Sequence, residues 1–237
     1  MAVRTQKGSH LCREIYPIRK NARPMADNYL EKKMEDYKAQ PASRPKSGHK
    51  LERLLEKNRS YRGYDNSFVV RADQLSRIIE VNTKIPSARN QQVLRFRPVL
   101  ADEAHKVLPY IKLGGALRNL HLPFEGHEPR AFVVVCNAKA ESDHYVWIDL
   151  GISAQSMLLQ ATEIGLGGIC IGAFDHAGLK ESLGLELEPL LVVAIGKPDE
   201  KIVLTTIAEG DNHDYWRDKQ GVHYVPKLSA EEITIKG

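Results

Sequence analysis

A chain of 237 residues, 42% hydrophobic and 27% charged, can bury one large core or two small ones. It has no apolar run near the roughly 18–20 residues a membrane helix needs, and no apolar core of a secretory signal at its start. Its +4 net charge sits in residues 1–24, where six Lys and Arg face Glu14 alone, so the rest carries −1 and offers no basic face for nucleic acid.

Three cysteines, Cys12, Cys136 and Cys170, form no C-x-x-C pair, and their odd number argues against a disulfide framework. A cytoplasmic location follows as the expectation. Residues 1–24 lack periodicity and end at Pro24-Met25. They read as a basic arm, a disordered leader, or an over-long start ahead of Met25. Residues 25–237 read as one domain with a helical arm over 25–48. In that arm Tyr29, Leu30, Met34 and Tyr37 recur at helical spacing from Ala26 to Lys38, and a Pro/Ser/Gly-rich break follows.

Further along, helices are predicted over Lys50 to Lys57 and Ala72 to Asn82. Strands are predicted at Leu94 to Leu100, Ala131 to Asn137 and Leu190 to Ile195, with Pro98 making the first an edge or bulged strand. Between the last two lies a long apolar helix, about Trp147 to Ile164, which reads as central and buried on both sides. Gly165 to Ala173 follows it and reads as a helix cap and tight turn. Asp175 then caps a helix to about Leu183, stopped by Gly184.

Three segments carry chemistry. Arg59, Ser60 and Arg62 follow a helix and supply rigid paired donors and a hydroxyl suited to phosphate. Pro86, Ser87, Ala88, Asn90 and Gln92 form a loop dense in groups that both donate and accept, which suits the edge of a flavin. The glycines around Ile171, Gly172 and Ala173 let backbone approach a planar ligand, but their spacing is not G-x-G-x-x-G and they follow a helix, so no dinucleotide domain is indicated. Taken singly, the first two are better explained as an ordinary basic turn and polar loop, and the third is as well explained as a helix cap. No metal site is indicated: His121 and His127 have no acidic companion at ligand spacing. No G-x-S-x-G turn supports a serine hydrolase.

The order of these segments resembles the nitroreductase family. It runs Arg-Ser-x-Arg after a helix, then Pro-Ser-Ala-x-Asn-x-Gln about 25 residues later, then a buried helix leading into Gly-Leu-Gly-Gly-x-x-Ile-Gly-Ala-Phe-Asp. The stretch Ala194 to Pro198 and the tail from Tyr215 to Lys227 are also similar to members of that family. The resemblance implies an α+β fold with a mixed, mostly antiparallel sheet flanked by helices around a buried central helix. It implies an intertwined homodimer with FMN at the subunit interface. Arg59, Ser60 and Arg62 would hold the phosphate, ribityl chain and ring edge from one subunit. Pro86, Ser87, Ala88, Asn90 and Gln92 would reach the same flavin from the other, and Ile171, Gly172 and Ala173 would lie along the ring.

The chain departs from the family pattern in three places. Asn58 stands where an Arg is common, and Val93-Leu94 follows Gln92 where Pro-Trp is usual. The Lys-x-Arg phosphate clamp expected after Gly196 is replaced by Ile202 to Ile207, with Lys201 the nearby cation. The implied activity is ping-pong: NAD(P)H reduces the flavin, leaves, and a nitroaromatic, quinone or similar small acceptor takes two electrons. No side chain need act as acid or base, so the catalytic set is empty. Gly114 to Pro129 is the expected lid or substrate loop. The alternatives are a specialised enzyme of the same fold, such as a reductive dehalogenase or an azoline or peptide dehydrogenase, and a flavin-binding protein without turnover.

Overall fold

Hydrophobic patterning places most of the elements. The computed structural model describes residues 50–114, 120, 122–139, 141–235 and 237, and His49–Gly237 cluster as one unit. The expected basic leader and helical arm, with Cys12 and His121, lie outside the described residues.

Helix α1 is Lys50–Lys57 and α2 is Ala72–Glu80; a short 3-10 turn, Val81–Thr83, extends α2. Asn58 N–H and the Arg59 guanidinium donate to the carbonyls of Leu54 and Leu55, and Tyr61 Oη to that of Lys57 at 2.8 Å. The last turn of α1 is thereby satisfied by the segment that follows it. At the start of α2 the Gln74 side chain accepts from Arg71 N at 3.0 Å, and the helix buries Leu75 and Ile78.

Four strands make the main sheet: β1 Leu94–Val99, β2 Ala131–Asn137, β3 Gly167–Ile171 and β4 Glu188–Gly196. They lie in the order β1-β2-β4-β3, every pair antiparallel. Every residue of β2 is buried, as its run of β-branched residues requires. Its alternate side chains feed two cores. Ala131, Val133 and Val135 pack with Leu75, Ile78, Leu150 and Met157 on one face, while Phe132, Val134 and Cys136 meet Leu179, Val107 and Tyr64 on the other. Burial pushes the Cys136 thiol up to about 11, so it is an inert core residue. Strand β1 is an edge strand, as Pro98 demands.

Helix α3, His144–Glu163, begins at Asp143, whose carboxylate accepts from Val146 N at 3.0 Å. It buries Val146, Leu150, Met157 and Ala161 against the sheet. Its other side carries Trp147 and Ile148, each 52% exposed in the single chain. Helix α4, His176–Ser182, is capped by Asp175, which accepts from Gly178 N.

The glycine run read as a turn is a strand. Gly165 turns the chain at φ +79°, and Gly167 and Gly168 then open β3. A Cβ on Gly168 would lie 2.2 Å from the Ala194 carbonyl oxygen, so glycine here permits close strand packing. A second sheet was not anticipated. It joins β5, Ile202–Ile207, in parallel with β7, His223–Leu228, which pairs antiparallel with β6, Trp216–Arg217. Trp216 and Tyr224 stack with centroids 5.2 Å apart.

Candidate functional site

The basic segment is pinned on both sides. Ser60 bridges to Gly168, and Tyr61 N donates to the Gly168 carbonyl at 3.2 Å. Tyr64 bridges to Pro198, and Asp199 N donates to the Gly63 carbonyl at 3.1 Å. Residues 58–64 therefore run from the start of β3 to the foot of the second sheet.

A cleft of about 300 Å³ opens there. One wall is Asn58, Arg59, Ser60 and Arg62; the other is Ile202, Tyr215, His223, Val225 and Lys227. His223, Val225 and Lys227 alternate along β7, which turns all three towards the cleft. Arg62 reaches the Ser60 carbonyl at 3.0 Å and lies over the Tyr215 ring, 4.9 Å from its centroid. Beneath it sits Glu200, 4% exposed, whose carboxylate accepts from Arg62 N at 2.9 Å and pairs with Arg217. That pairing neutralises Glu200 and leaves Arg59, Arg62 and Lys227 as the charges of the cleft.

Several buried polar atoms here have no partner among the described residues: Nε of Arg59, Arg62 and Arg217, and both ring nitrogens of His223. Burial and the guanidinium groups of Arg62 and Arg217 hold the His223 imidazole down to about 4. Burial raises the Tyr61 phenol, against the pull of Arg59.

The amide loop lies elsewhere in the chain. Pro86, Ser87 and Gln92 line a separate cleft of about 230 Å³ together with Asn82, Phe96 and Asp149. Ser87 Oγ donates to Asp149 at 2.6 Å, Ala88 N donates to the same carboxylate at 2.9 Å, and Gln92 N donates to Ser87 Oγ at 3.0 Å. Arg89, Asn90 and Gln92 take left-handed φ values of 52°, 53° and 48°, and their side chains face outward. Three such residues in four positions is a strained arrangement that the Asp149 contacts hold in place.

In the third segment the Ile171 side chain is buried in the core. Gly172 and Ala173 are exposed at the end of β3, and nothing stands within 4 Å of a Cβ built on Gly172. In the single chain, then, Arg59, Ser60 and Arg62 share a cleft, β3 links them to Ile171, Gly172 and Ala173, and Pro86 to Gln92 belongs to a different surface. Of the expected lid, residues 115–119 and His121 lie outside the description, and the Phe124 ring lies under the Arg217 guanidinium at 5.8 Å.

Sequence reasoning missed Lys227, His223, Glu200, Arg217 and Asp149. The Lys-x-Arg clamp is indeed absent after Gly196, but Lys227 brings a cation to the cleft from β7 instead. The alternation His223-Val225-Lys227 was the available signal.

Residues 129–197 match the model of the nitroreductase family. Over 56 residues, 24% of this chain, the sequence is 38% identical to a protein of Methanocaldococcus jannaschii designated a nitroreductase, and the match spans 28% of that relative's length. A nitroreductase-family protein of Streptococcus pneumoniae superposes with a TM-score of 0.57 at 17% identity, over 79% of this chain and 100% of that one. A Desulfovibrio desulfuricans protein described as a nitroreductase in complex with FMN superposes with a TM-score of 0.53 at 22% identity, over 64% of this chain and 87% of that one. The fold of this chain is thus the fold of nitroreductase-family proteins.

Proposed function

We propose that the whole chain is an FMN-dependent oxidoreductase of this family, working in the cytoplasm as a homodimer. In this proposal it takes two electrons from NADH or NADPH and delivers them to a nitroaromatic, quinone or similar planar acceptor. The observation that carries the proposal is the donor set of the 300 Å³ cleft: Arg59 and Arg62, each with a buried and unpartnered Nε, facing Lys227. Buried guanidinium nitrogens without partners are costly, and a phosphate supplies acceptors on several sides. The residues therefore fit FMN.

Arg59, Arg62 and Lys227 would hold its phosphate, and Ser60 its ribityl hydroxyls. Gly172 and Ala173, at the open end of β3, leave room for a planar ring to approach backbone closely. The loop of Pro86, Ser87, Ala88, Asn90 and Gln92 would come from a second copy of the chain, since in one protomer it lines another cleft. An apolar surface suited to that copy is present: Leu51 on α1 and Trp147 and Ile148 on α3 are all more than half exposed. Bound FMN supplies the two-electron hydride chemistry, while the protein's part is orientation, charge and exclusion of water. The cationic wall favours negative charge on the ligand, and no side chain is required as acid or base.

The test is direct. Purified chain reconstituted with FMN is mixed with NADH or NADPH without oxygen, and the yellow colour is followed. Bleaching, then recovery on adding one of a panel of nitroaromatic, quinone and enone acceptors, is the expected result. A flavin that stays oxidised with both nucleotides rejects the reductase and leaves a flavin-binding protein.

A further inference from the structure

We propose that His223 is a ligand of the phosphate in this cleft, and that it sets the preference for phosphorylated over unphosphorylated flavin. The inference rests on the FMN reading of the site and deepens it. His223 is fully buried, yet neither Nδ1 nor Nε2 has a hydrogen-bond partner among the described residues. Native interiors rarely leave such a ring unsatisfied unless something outside the chain completes it. The ring lines the cleft that also holds the unpartnered Nε atoms of Arg59 and Arg62.

Its placement is fixed. His223 N donates to the Lys201 carbonyl at 2.9 Å, and the imidazole stacks on Tyr215 with centroids 5.1 Å apart and planes at 26°. The charged groups facing it are Arg62, Arg217 and Glu200, and Glu200 is already paired with Arg217. In that positive surrounding the ring is neutral at pH 7, with one N–H donor and one acceptor nitrogen. A neutral donor in a cleft lined by Arg59, Arg62 and Lys227 suits an oxyanion, because the cations balance the charge and the imidazole reads an oxygen's position. Stacking on Tyr215 requires only an aromatic ring. A phenylalanine would supply such a ring, so the nitrogens are the part of His223 that stacking does not explain.

The experiment uses the full chain freed of flavin, titrated with FMN and with riboflavin and followed by quenching of flavin fluorescence. His223→Phe keeps the ring and removes the nitrogens; His223→Gln keeps an N–H donor. We expect His223→Phe to weaken FMN about tenfold or more while changing riboflavin less than about twofold, and His223→Gln to recover part of the loss. In wild-type chain carrying 15N-histidine, the His223 ring resonances should move on adding FMN and stay still on adding riboflavin. This second measurement decides the matter even if the phenylalanine variant does not fold.

Equal losses for both flavins, or ring resonances indifferent to FMN, overturn the proposal. A wild-type chain that prefers FMN while both variants match it overturns this proposal alone. A wild-type chain that binds neither flavin overturns the FMN reading as well.

Discussion

Glu200 is the test of how the cleft is held. Its carboxylate is 4% exposed and has two clients: the backbone N–H of Arg62 at 2.9 Å and the guanidinium of Arg217, itself 11% exposed. Replacing Glu200 by Ala leaves a buried cation without its counter-charge, which costs about 3–5 kcal/mol. It also leaves the Arg62 N–H without an acceptor, at about 1–3 kcal/mol. These losses share one site and overlap, so we expect about 4 kcal/mol in total, or about 8–16 °C in melting temperature for a chain of this size. Melting is compared at one protein concentration, because the proposed dimerisation would shift it by mass action. Glu200→Gln retains an acceptor for Arg62 N and should lose less. Adding Arg217→Ala to Glu200→Ala removes the stranded charge, so the double variant should be less destabilised than the two singles together. A Glu200→Ala protein within about 1 kcal/mol of wild type, or strict additivity in the double variant, would refute this account.

Other outcomes follow from the same geometry. Arg59→Ala, Arg62→Ala and Lys227→Ala should each weaken FMN by about 1.5–3 kcal/mol in a fluorescence titration; unchanged affinity in all three would remove the phosphate assignment. Asp149→Ala strips the partners of Ser87 and Ala88 and releases the three left-handed residues. It should cost about 2–4 kcal/mol in urea unfolding, with Asp149→Asn losing less. His223 sits at about 4 in the folded chain against an ordinary 6.5, so the unfolded chain binds the extra proton first. Its contribution, roughly 3 kcal/mol, is complete above pH 6.5 and lost as pH falls towards 4. Urea midpoints of the flavin-free protein should show that slope, and His223→Gln should flatten it.

How legible this was in the sequence depended on how local the signal is. Lys50–Lys57 and Ala131–Asn137 came out with the bounds expected, because apolar spacing and flanking turn formers mark them. The central helix starts earlier than expected because Asp143, not its apolar run, sets the cap. Gly167–Ile171 was missed because its glycines answer to neighbours far away in sequence: Tyr61 and Pro198 at Gly167, the Ala194 carbonyl at Gly168. The second sheet was missed for a related reason, since its long-range parallel β5–β7 pairing leaves no local pattern. In the site, Arg59 and Arg62 stand in a recognisable order with the other segments. Lys227 and His223 face them only through that distant pairing.

The two walls of the cleft also differ in when they exist. The main sheet with α3 is complete once Gly196 has been made, but the second wall needs a loop of roughly 140 residues to close between Arg62 and Ile202, and β7 beyond it. A chain clipped or stalled between Gly196 and His223 would hold its main core and lack one wall of the cleft. On the FMN reading, yellow colour in a preparation therefore counts finished chains rather than folded cores, and loading of the cofactor is among the last events of maturation.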